Sequence, residues 1–405
     1  MKRGRVGACA LAVLVACASP NEGTSEAGPV TGAESVSTTD PSGTSGASTS
    51  EGSTNEAPAE SSGASTGEDT PQDLGGSPDV PPEEEPAAAM RFGLAVNPDS
   101  SPEQLDSVFA HYEEIGVDQI WLTAAMEWLC YQGSTCDFTP LDGVVQRAKD
   151  RGWTVALQVH GTPEWLDARG MWFGPDTDER REAWVDLFAQ LVARYGADVD
   201  HYEVWNEPNI EEFWSQGPDA TAYAMLLHDA YEAAKAIDPQ VTIVGGNLSQ
   251  NDLGFLGLVY DAMENAYGPD DAAANRWWFD VLGVHPYAGD ASGGYAPGDD
   301  SHPDVITMYG PKDPDYLGYR RMRDLVTERE GEPKDLAFGE MGYDTDGDWF
   351  SVAEADRAQY IYDALVLARD DGFVRYVAWF THDGTWFGIH GTSTETGFTD
   401  AALAP

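Results

Sequence analysis

Two short apolar runs in this chain each end in a glutamate. Tyr202-Glu203-Val204-Trp205 leads at once into Asn206-Glu207-Pro208-Asn209, and Leu336-Ala337-Phe338-Gly339 ends in Glu340. A pair of carboxyl groups is what hydrolysis of a glycosidic bond needs: one protonates the departing oxygen, the other attacks the sugar or activates water. Asn206, an amide beside the first carboxyl, suits a hydrogen bond to a sugar hydroxyl. A single Glu after a strand is most often a solvated loop residue. Two that meet across one mouth are a reaction site, so everything depends on the elements that place them.

From Arg91 onward, short β-rich runs alternate with amphipathic stretches. The pattern predicts strands over 91–96, 119–123, 154–159, 202–205, 241–244, 279–284, 336–339 and 376–379. Between them fall helices over 102–115, 141–151, 178–195, 221–237, 253–266, 317–329 and 353–371. Eight strands with interleaved helices argue for a closed (β/α)8 (TIM) barrel, an α/β fold, rather than an open doubly wound sheet. No Gly-rich phosphate-binding turn follows the first strand, which counts against a dinucleotide fold. About twenty-five residues rich in Gly and Thr remain after the eighth strand, so the last helix is expected to be short, displaced or missing. In such a barrel, function sits at the carboxyl ends of the strands. Glu207 after the fourth strand and Glu340 after the seventh then share one mouth.

With the barrel in place, the extended motif Glu203-Val204-Trp205-Asn206-Glu207-Pro208-Asn209, followed by Phe213-Trp214, resembles the acid/base motif of glycoside hydrolase clan A, closest to family 39 and its relatives. The resemblance covers about 91–391. It implies a retaining enzyme with Glu207 as acid/base and Glu340 as nucleophile. Val284-His285-Pro286-Tyr287 matches the clan's sixth-strand His-x-Tyr element, whose Tyr touches the nucleophile, and Trp379 matches the eighth-strand Trp that floors the sugar site. Many clan members carry a second-strand Arg that supports the nucleophile. Gln119-Ile120-Trp121-Leu122 offers none, so another donor must take its place. A retaining pair stands about 5–5.5 Å apart, and mutual repulsion should raise the pKa of the less well hydrogen-bonded carboxyl, expected to be Glu207. The implied activity is hydrolysis of β-linked, largely neutral oligo- or polysaccharides, exo or endo, without a cofactor. A catalytically idle glycan-binding surface protein and a transglycosidase with the same residues are the alternatives.

Around the pair, Trp165, Trp172, Phe173, Trp214, Trp386 and Phe387 fall in or near strand-to-helix loops, where aromatic rings can stack on sugar faces. His160, Glu127 and Trp128 stand at strand ends and are candidates for lining subsites. Asp344, Asp346 and Asp348 lack the Gly and Glu of a calcium loop and read as a solvated acidic loop. Cys130 and Cys136 are expected to form a local disulfide. No second Cys or His pair at ligand spacing accompanies them, so no metal site is expected.

The amino terminus reads as an address. Lys2, Arg3 and Arg5 precede an apolar run over 6–16, too short to span a bilayer. Leu14-Val15-Ala16-Cys17 resembles a bacterial lipobox, which makes 1–16 a lipoprotein signal peptide and Cys17 the acylated first residue. The alternative is an ordinary signal peptide cut near Ala16 or Ala18. Residues 17–89 are rich in Ser, Thr, Gly, Glu and Pro, contain no Lys or Arg, and read as a disordered tether. The catalytic domain is 90–405. With 70 acidic against 22 basic residues, a net charge of −48, the chain is a poor partner for nucleic acid and anionic polymers. The expectation is a monomer anchored by lipid in the bacterial cell envelope, outside the cytoplasm, acting on carbohydrate.

Overall fold

A computed structural model describes residues 89–290, 292–345, 350–382 and 387–404; the segments expected to be signal peptide and tether, with Cys17, lie outside them. Eight strands form the barrel: β1 (Arg91–Ala95), β2 (Gln119–Ala125), β3 (Thr154–His160), β4 (His201–Val204), β5 (Thr242–Ser249), β6 (Val281–His285), β7 (Leu336–Met341) and β8 (Val374–Trp379). Each pairs in parallel with the next, and β8 returns to β1 from Arg91 opposite Tyr376 to Leu94 opposite Trp379, closing the sheet. The barrel helices are α1 (Pro102–Glu114), α2 (Thr139–Asp150), α3 (Asp178–Tyr195), α4 (Ala220–Ile237), α5 (Leu253–Tyr267), α6 (Gly318–Glu330), α7 (Glu354–Asp370) and α8 (Ser393–Ala402).

Local chemistry starts these helices where the sequence punctuates them. Ser101 and Gln104 form a reciprocal capping box ahead of α1, with Pro102 in its first turn. Asp219 accepts the amides of Thr221 and Ala222 at the start of α4. The last helix is short, as expected, but present. Thr392 caps it, and the Arg357 guanidinium of α7 donates to Thr394 Oγ1 and to the Gly388 carbonyl, each at 3.0 Å. Gly397 lets α8 sit against α7, since a Cβ there would stand 2.2 Å from the Ala358 carbonyl oxygen.

Strand alternation sorts side chains into two layers. Leu157 and Val159 of β3 join the core between strands and helices, with Trp184, Leu187 and Leu191 of α3. Trp121, Ala156, Val244, Ala337, Tyr376 and Ala378 pack inside the barrel. Inward positions nearer the mouth are polar: Gln158, His160, Glu203 and His285 are all buried. Burying that many polar groups is costly unless they bond one another.

Three features go beyond the sequence reading. β5 extends to Ser249 rather than stopping at residue 244, through a register shift between Gly246 and Leu248, where φ is 100° at Gly246 and 48° at Asn247. A bulge of this kind redirects the chain, and here the Asn247 carbonyl accepts the amide of Glu207 at 3.0 Å. A one-turn helix, Met126–Leu129, follows β2 directly. Two small hairpins lie in the connection after β6: Gly289–Asp290 with Gly293–Gly294, and Val305–Thr307 with Gly310–Lys312.

Candidate active site

The chain leaves β4 through strained backbone. Trp205 has φ 68° and Glu207 φ 40°, the left-handed region that costs a side-chain-bearing residue about 1–3 kcal/mol. Packing holds it there. Trp205 is fully buried against Trp184 and Trp214, and its indole N–H donates to the Phe213 carbonyl at 2.9 Å. The strain directs Glu207, 4% exposed, to the mouth of the barrel.

Glu340 arrives from β7. Tyr287 donates its hydroxyl to Glu340 Oε2 at 3.2 Å, and His285 Nδ1 lies 3.0 Å from Glu207 Oε1. One carboxyl oxygen from each Glu and a ring nitrogen of His285 all fall within 4.8 Å of one another. That suits direct attack by one carboxyl, and is short of the roughly 6.5–9.5 Å that leaves room for an intervening water.

The donor missing from the second strand comes from the third, as a neutral amide. Gln158 Nε2 donates to Glu340 Oε1 at 3.2 Å and to Asn206 Oδ1 at 2.8 Å. Its own carbonyl faces His160 Nδ1 at 3.1 Å. Burial pushes the His160 pKa down to about 3, so the ring is neutral, and its Nδ1–H donates to Gln158 and fixes which way the amide points. His160, a candidate for lining a subsite, is buried and orients Gln158.

Burial pushes Glu340 up to about 7; the charge of Glu207 adds to the push, while His285, Gln158 and Tyr287 pull the other way. Burial alone would lower His285, but the charges of Glu340 and Glu207 outweigh it and hold the imidazole above its ordinary value. Glu340 is buried and supported by neutral donors, Gln158 and Tyr287, instead of a guanidinium. Groups this close titrate as a set.

Beneath them lies a third carboxyl, which sequence reasoning missed. Glu203 accepts the Trp121 indole N–H at 3.1 Å and the Tyr376 hydroxyl at 2.5 Å, and burial raises its pKa. Among the described residues, Glu203 Oε2 and His285 Nε2 have no protein partner. Both border the space above Gly339, where a Cβ would stand 2.9 and 3.0 Å from them. The glycine keeps that space open. Gln158 and Glu203 had one signal in the sequence: each is a polar residue between two apolar neighbours on its strand.

The other candidates divide. Asn206 keeps a buried Nδ2 with no partner among the described residues, a donor facing the site. Trp165 stands at the rim, 42% exposed, its indole bonded to the Cys130 carbonyl at 2.7 Å, and Trp128 nearby in sequence to that disulfide loop is 44% exposed. Cys130 and Cys136 are joined, with Cα atoms 4.1 Å apart. Trp172 packs on His160 and Phe213. Trp214 is fully buried core and offers sugar no face. Trp379 is also placed elsewhere: Tyr376 and Ala378 point inward, so Trp379 points outward and packs with Tyr343 in the helix-facing core. The aromatic residue from this strand end that joins Tyr287, with Phe350 and Phe387, is Phe380. Asp344 is buried; Asp346, Asp348 and Trp386 lie outside the described residues.

A closed (β/α)8 barrel with two carboxyls at the carboxyl ends of β4 and β7, and a His-x-Tyr pair between them, has the architecture of a glycoside hydrolase. The family model described as Cellulase (glycosyl hydrolase family 5) matches residues 95–383, and the chain belongs to that family of glycoside hydrolases. None of the curated proteins matches it in sequence. Its fold is similar to that of a family 39 glycoside hydrolase from Bacteroides cellulosilyticus WH2, with TM-score 0.59, 18% identity, 80% of this chain and 65% of that one covered. It is also similar to a monomeric beta-xylosidase from Caulobacter crescentus CB15, with TM-score 0.53, 19% identity, and 78% and 69% covered. A GH39 enzyme from Xanthomonas axonopodis pv. citri gives TM-score 0.51, 19% identity, and 78% and 67% covered. The chain thus spans about two thirds of the length of these structures, and at such identity the likeness is one of fold.

Proposed function

We propose that this chain is a retaining O-glycoside hydrolase that cleaves β-linked, largely neutral glycans by double displacement. The observation that carries the reading is the approach of Glu207 and Glu340 to within 4.8 Å around His285. Glu340 attacks the anomeric carbon while Glu207 delivers its proton to the departing glycosidic oxygen, so the C–O bond breaks as a glycosyl ester forms. The ester removes the charge that repelled Glu207. Glu207 then takes a proton from water, which attacks the anomeric carbon and returns Glu340 as a carboxylate. Tyr287 and Gln158 hold Glu340 on line, and the spare N–H of Asn206 serves the sugar. An idle binding barrel would have no use for two carboxyls buried at that separation.

The net charge of −48 favours neutral over acidic glycans. Aryl β-xylosides and β-glucosides are the first substrates to screen, because similar structures are described as a beta-xylosidase and a glucosidase. Proton NMR of the first-formed sugar tests the reading: a β-product from a β-substrate is expected, and an α-product overturns it. We also propose attachment to the cell envelope through Cys17. Cys17→Ser should release the protein from membranes, and unchanged membrane partition contradicts the anchor.

A further inference from the structure

The barrel closes where its last βα unit meets its first, and a second cluster of imidazole and carboxylate spans that seam. His111 comes from the last turn of α1, His382 follows β8, His390 lies before α8, and Glu395 is in the first turn of α8. Three of the chain's eight histidines meet here. Glu395 Oε1 lies 2.6 Å from His111 Nε2, 3.3 Å from His382 Nε2 and 3.4 Å from His390 Nδ1. His390 Nδ1 and His382 Nε2 are 3.1 Å apart, and all four atoms fall within 4.8 Å of one another.

A tetrahedral zinc ion with bonds of about 2.0–2.2 Å separates its ligand atoms by about 3.3 Å. Three of the separations here, 3.1, 3.3 and 3.4 Å, already match that edge. The His111–Glu395 contact, at 2.6 Å, must open by about 0.7 Å to reach that edge, and the separations from His111 to the other two imidazoles lie within 4.8 Å. The rings pack with centroids 4.6–5.2 Å apart around one carboxylate, which can neutralise only one imidazolium. Three ring nitrogens and a carboxylate oxygen gathered this closely can share one cation.

The surroundings fit a bound ion. The second oxygen of Glu395 accepts the Gly391 amide at 3.1 Å, which turns the first toward the cluster. His390 and Ile389 donate their amides to the His382 carbonyl at 2.9 and 3.0 Å, which fixes the spacing of two ligands. His382 and Glu395 side chains are 4% and 16% exposed, while His390 is 53% exposed and leaves a route from solvent. Three nitrogens and one oxygen suit zinc; calcium and magnesium prefer oxygen, and copper(II) prefers a tetragonal arrangement.

We propose that His111, His382, His390 and Glu395 form a tetrahedral zinc site that pins α1 to the β8 loop and α8 across the seam. His382 stands two residues beyond Phe380, which packs with Tyr287 beside Glu340. A metal at this point ties the end of the barrel to the loop that borders the catalytic mouth.

The full chain, carrying no polyhistidine tag, should be stripped with chelator and titrated with cobalt(II), then zinc. One cobalt per chain with the intense visible bands of tetrahedral coordination, displaced by zinc, is expected. His390→Ala and His111→Ala should each weaken binding at least about 100-fold, while Glu340→Gln binds as the parent does. His390 is half exposed, so its replacement tests the site without threatening the fold. Thermal unfolding of the parent should shift upward with zinc, and that of His390→Ala should not. Absence of saturable binding, or a weak octahedral cobalt spectrum, overturns the proposal. So does binding that survives His390→Ala but is lost in Glu340→Gln, which would move the metal to the Glu207–His285–Glu340 cluster.

Discussion

Among the described residues, two clusters of three or more imidazole and carboxyl groups gather within 4.8 Å, and they differ in proportion and in access to water. At the mouth, one imidazole meets two carboxyls, all sealed from solvent. At the seam, three imidazoles meet one carboxyl, and His390 is half exposed. Two acids and one base in a buried space cannot all carry charge, so the set must hold protons and can exchange them with a reacting group. Three imidazoles and one carboxyl open to solvent offer a cation four donor atoms. The ratio of acid to base and the depth of burial decide which chemistry the same residue types can do.

The sharpest way to break the contrast is to remove a carboxyl from the mouth. Glu340→Gln should lower kcat at least about 10²-fold on substrates with good and poor leaving groups alike, because covalent catalysis is lost. Metal binding at the seam should not change. An activity loss seen only with poor leaving groups would reassign Glu340 to the acid role.

A smaller effect follows from the neutral amide that supports Glu340. Gln158→Leu removes a donor from ionised Glu340, a bond worth about 1.5–3 kcal/mol, so kcat/KM should fall about 10- to 100-fold. The sign of the pH effect is also fixed. Burial already holds Glu340 at about 7, and the reaction needs it ionised, so kcat/KM of the parent should decline as pH drops below about 7. Losing a bond to the charged form raises that pKa, so the acid limb of the variant should move to higher pH. A limb that stays put, or moves down, separates Gln158 from the support of Glu340.

The smallest effect is expected at the rim. Cys136→Ser opens a disulfide that closes a short loop, which should cost at most about 2–3 kcal/mol in urea unfolding and leave kcat within a few-fold. A large loss of kcat with little loss of stability would give the Cys130–Cys136 loop a place in the sugar site.

Contiguous signals explain what the sequence disclosed. Glu207 and Glu340 each follow a recognisable apolar strand, and His285 and Tyr287 sit two apart on the sixth. Trp379 was misplaced because residues 376–379 are all apolar, so the run shows no alternation from which to read inward and outward faces. Gln158 was hidden in the same way, inside a strand whose apolar neighbours suggested only core. The far end of β5 was masked by Gly245 and Gly246, which look like a strand's end rather than a bulge. At the seam, residues 111, 382, 390 and 395 come from opposite ends of the domain. Only closure of the barrel makes them neighbours, and no local spacing records that.

The most direct test of the central claim separates the two carboxyls in one experiment. An acid is needed when the leaving group cannot depart unprotonated, whereas a nucleophile is needed for every substrate. Glu207→Ala should therefore lower turnover of natural glycans by about 10²–10⁴-fold, yet still form the glycosyl ester from a dinitrophenyl β-glycoside. Added azide should then restore turnover, since a small anion needs no general base and fits where the side chain stood. The account predicts a β-glycosyl azide, the product of two displacements on opposite faces. An α-glycosyl azide, or no rescue with both substrates equally impaired, would contradict it.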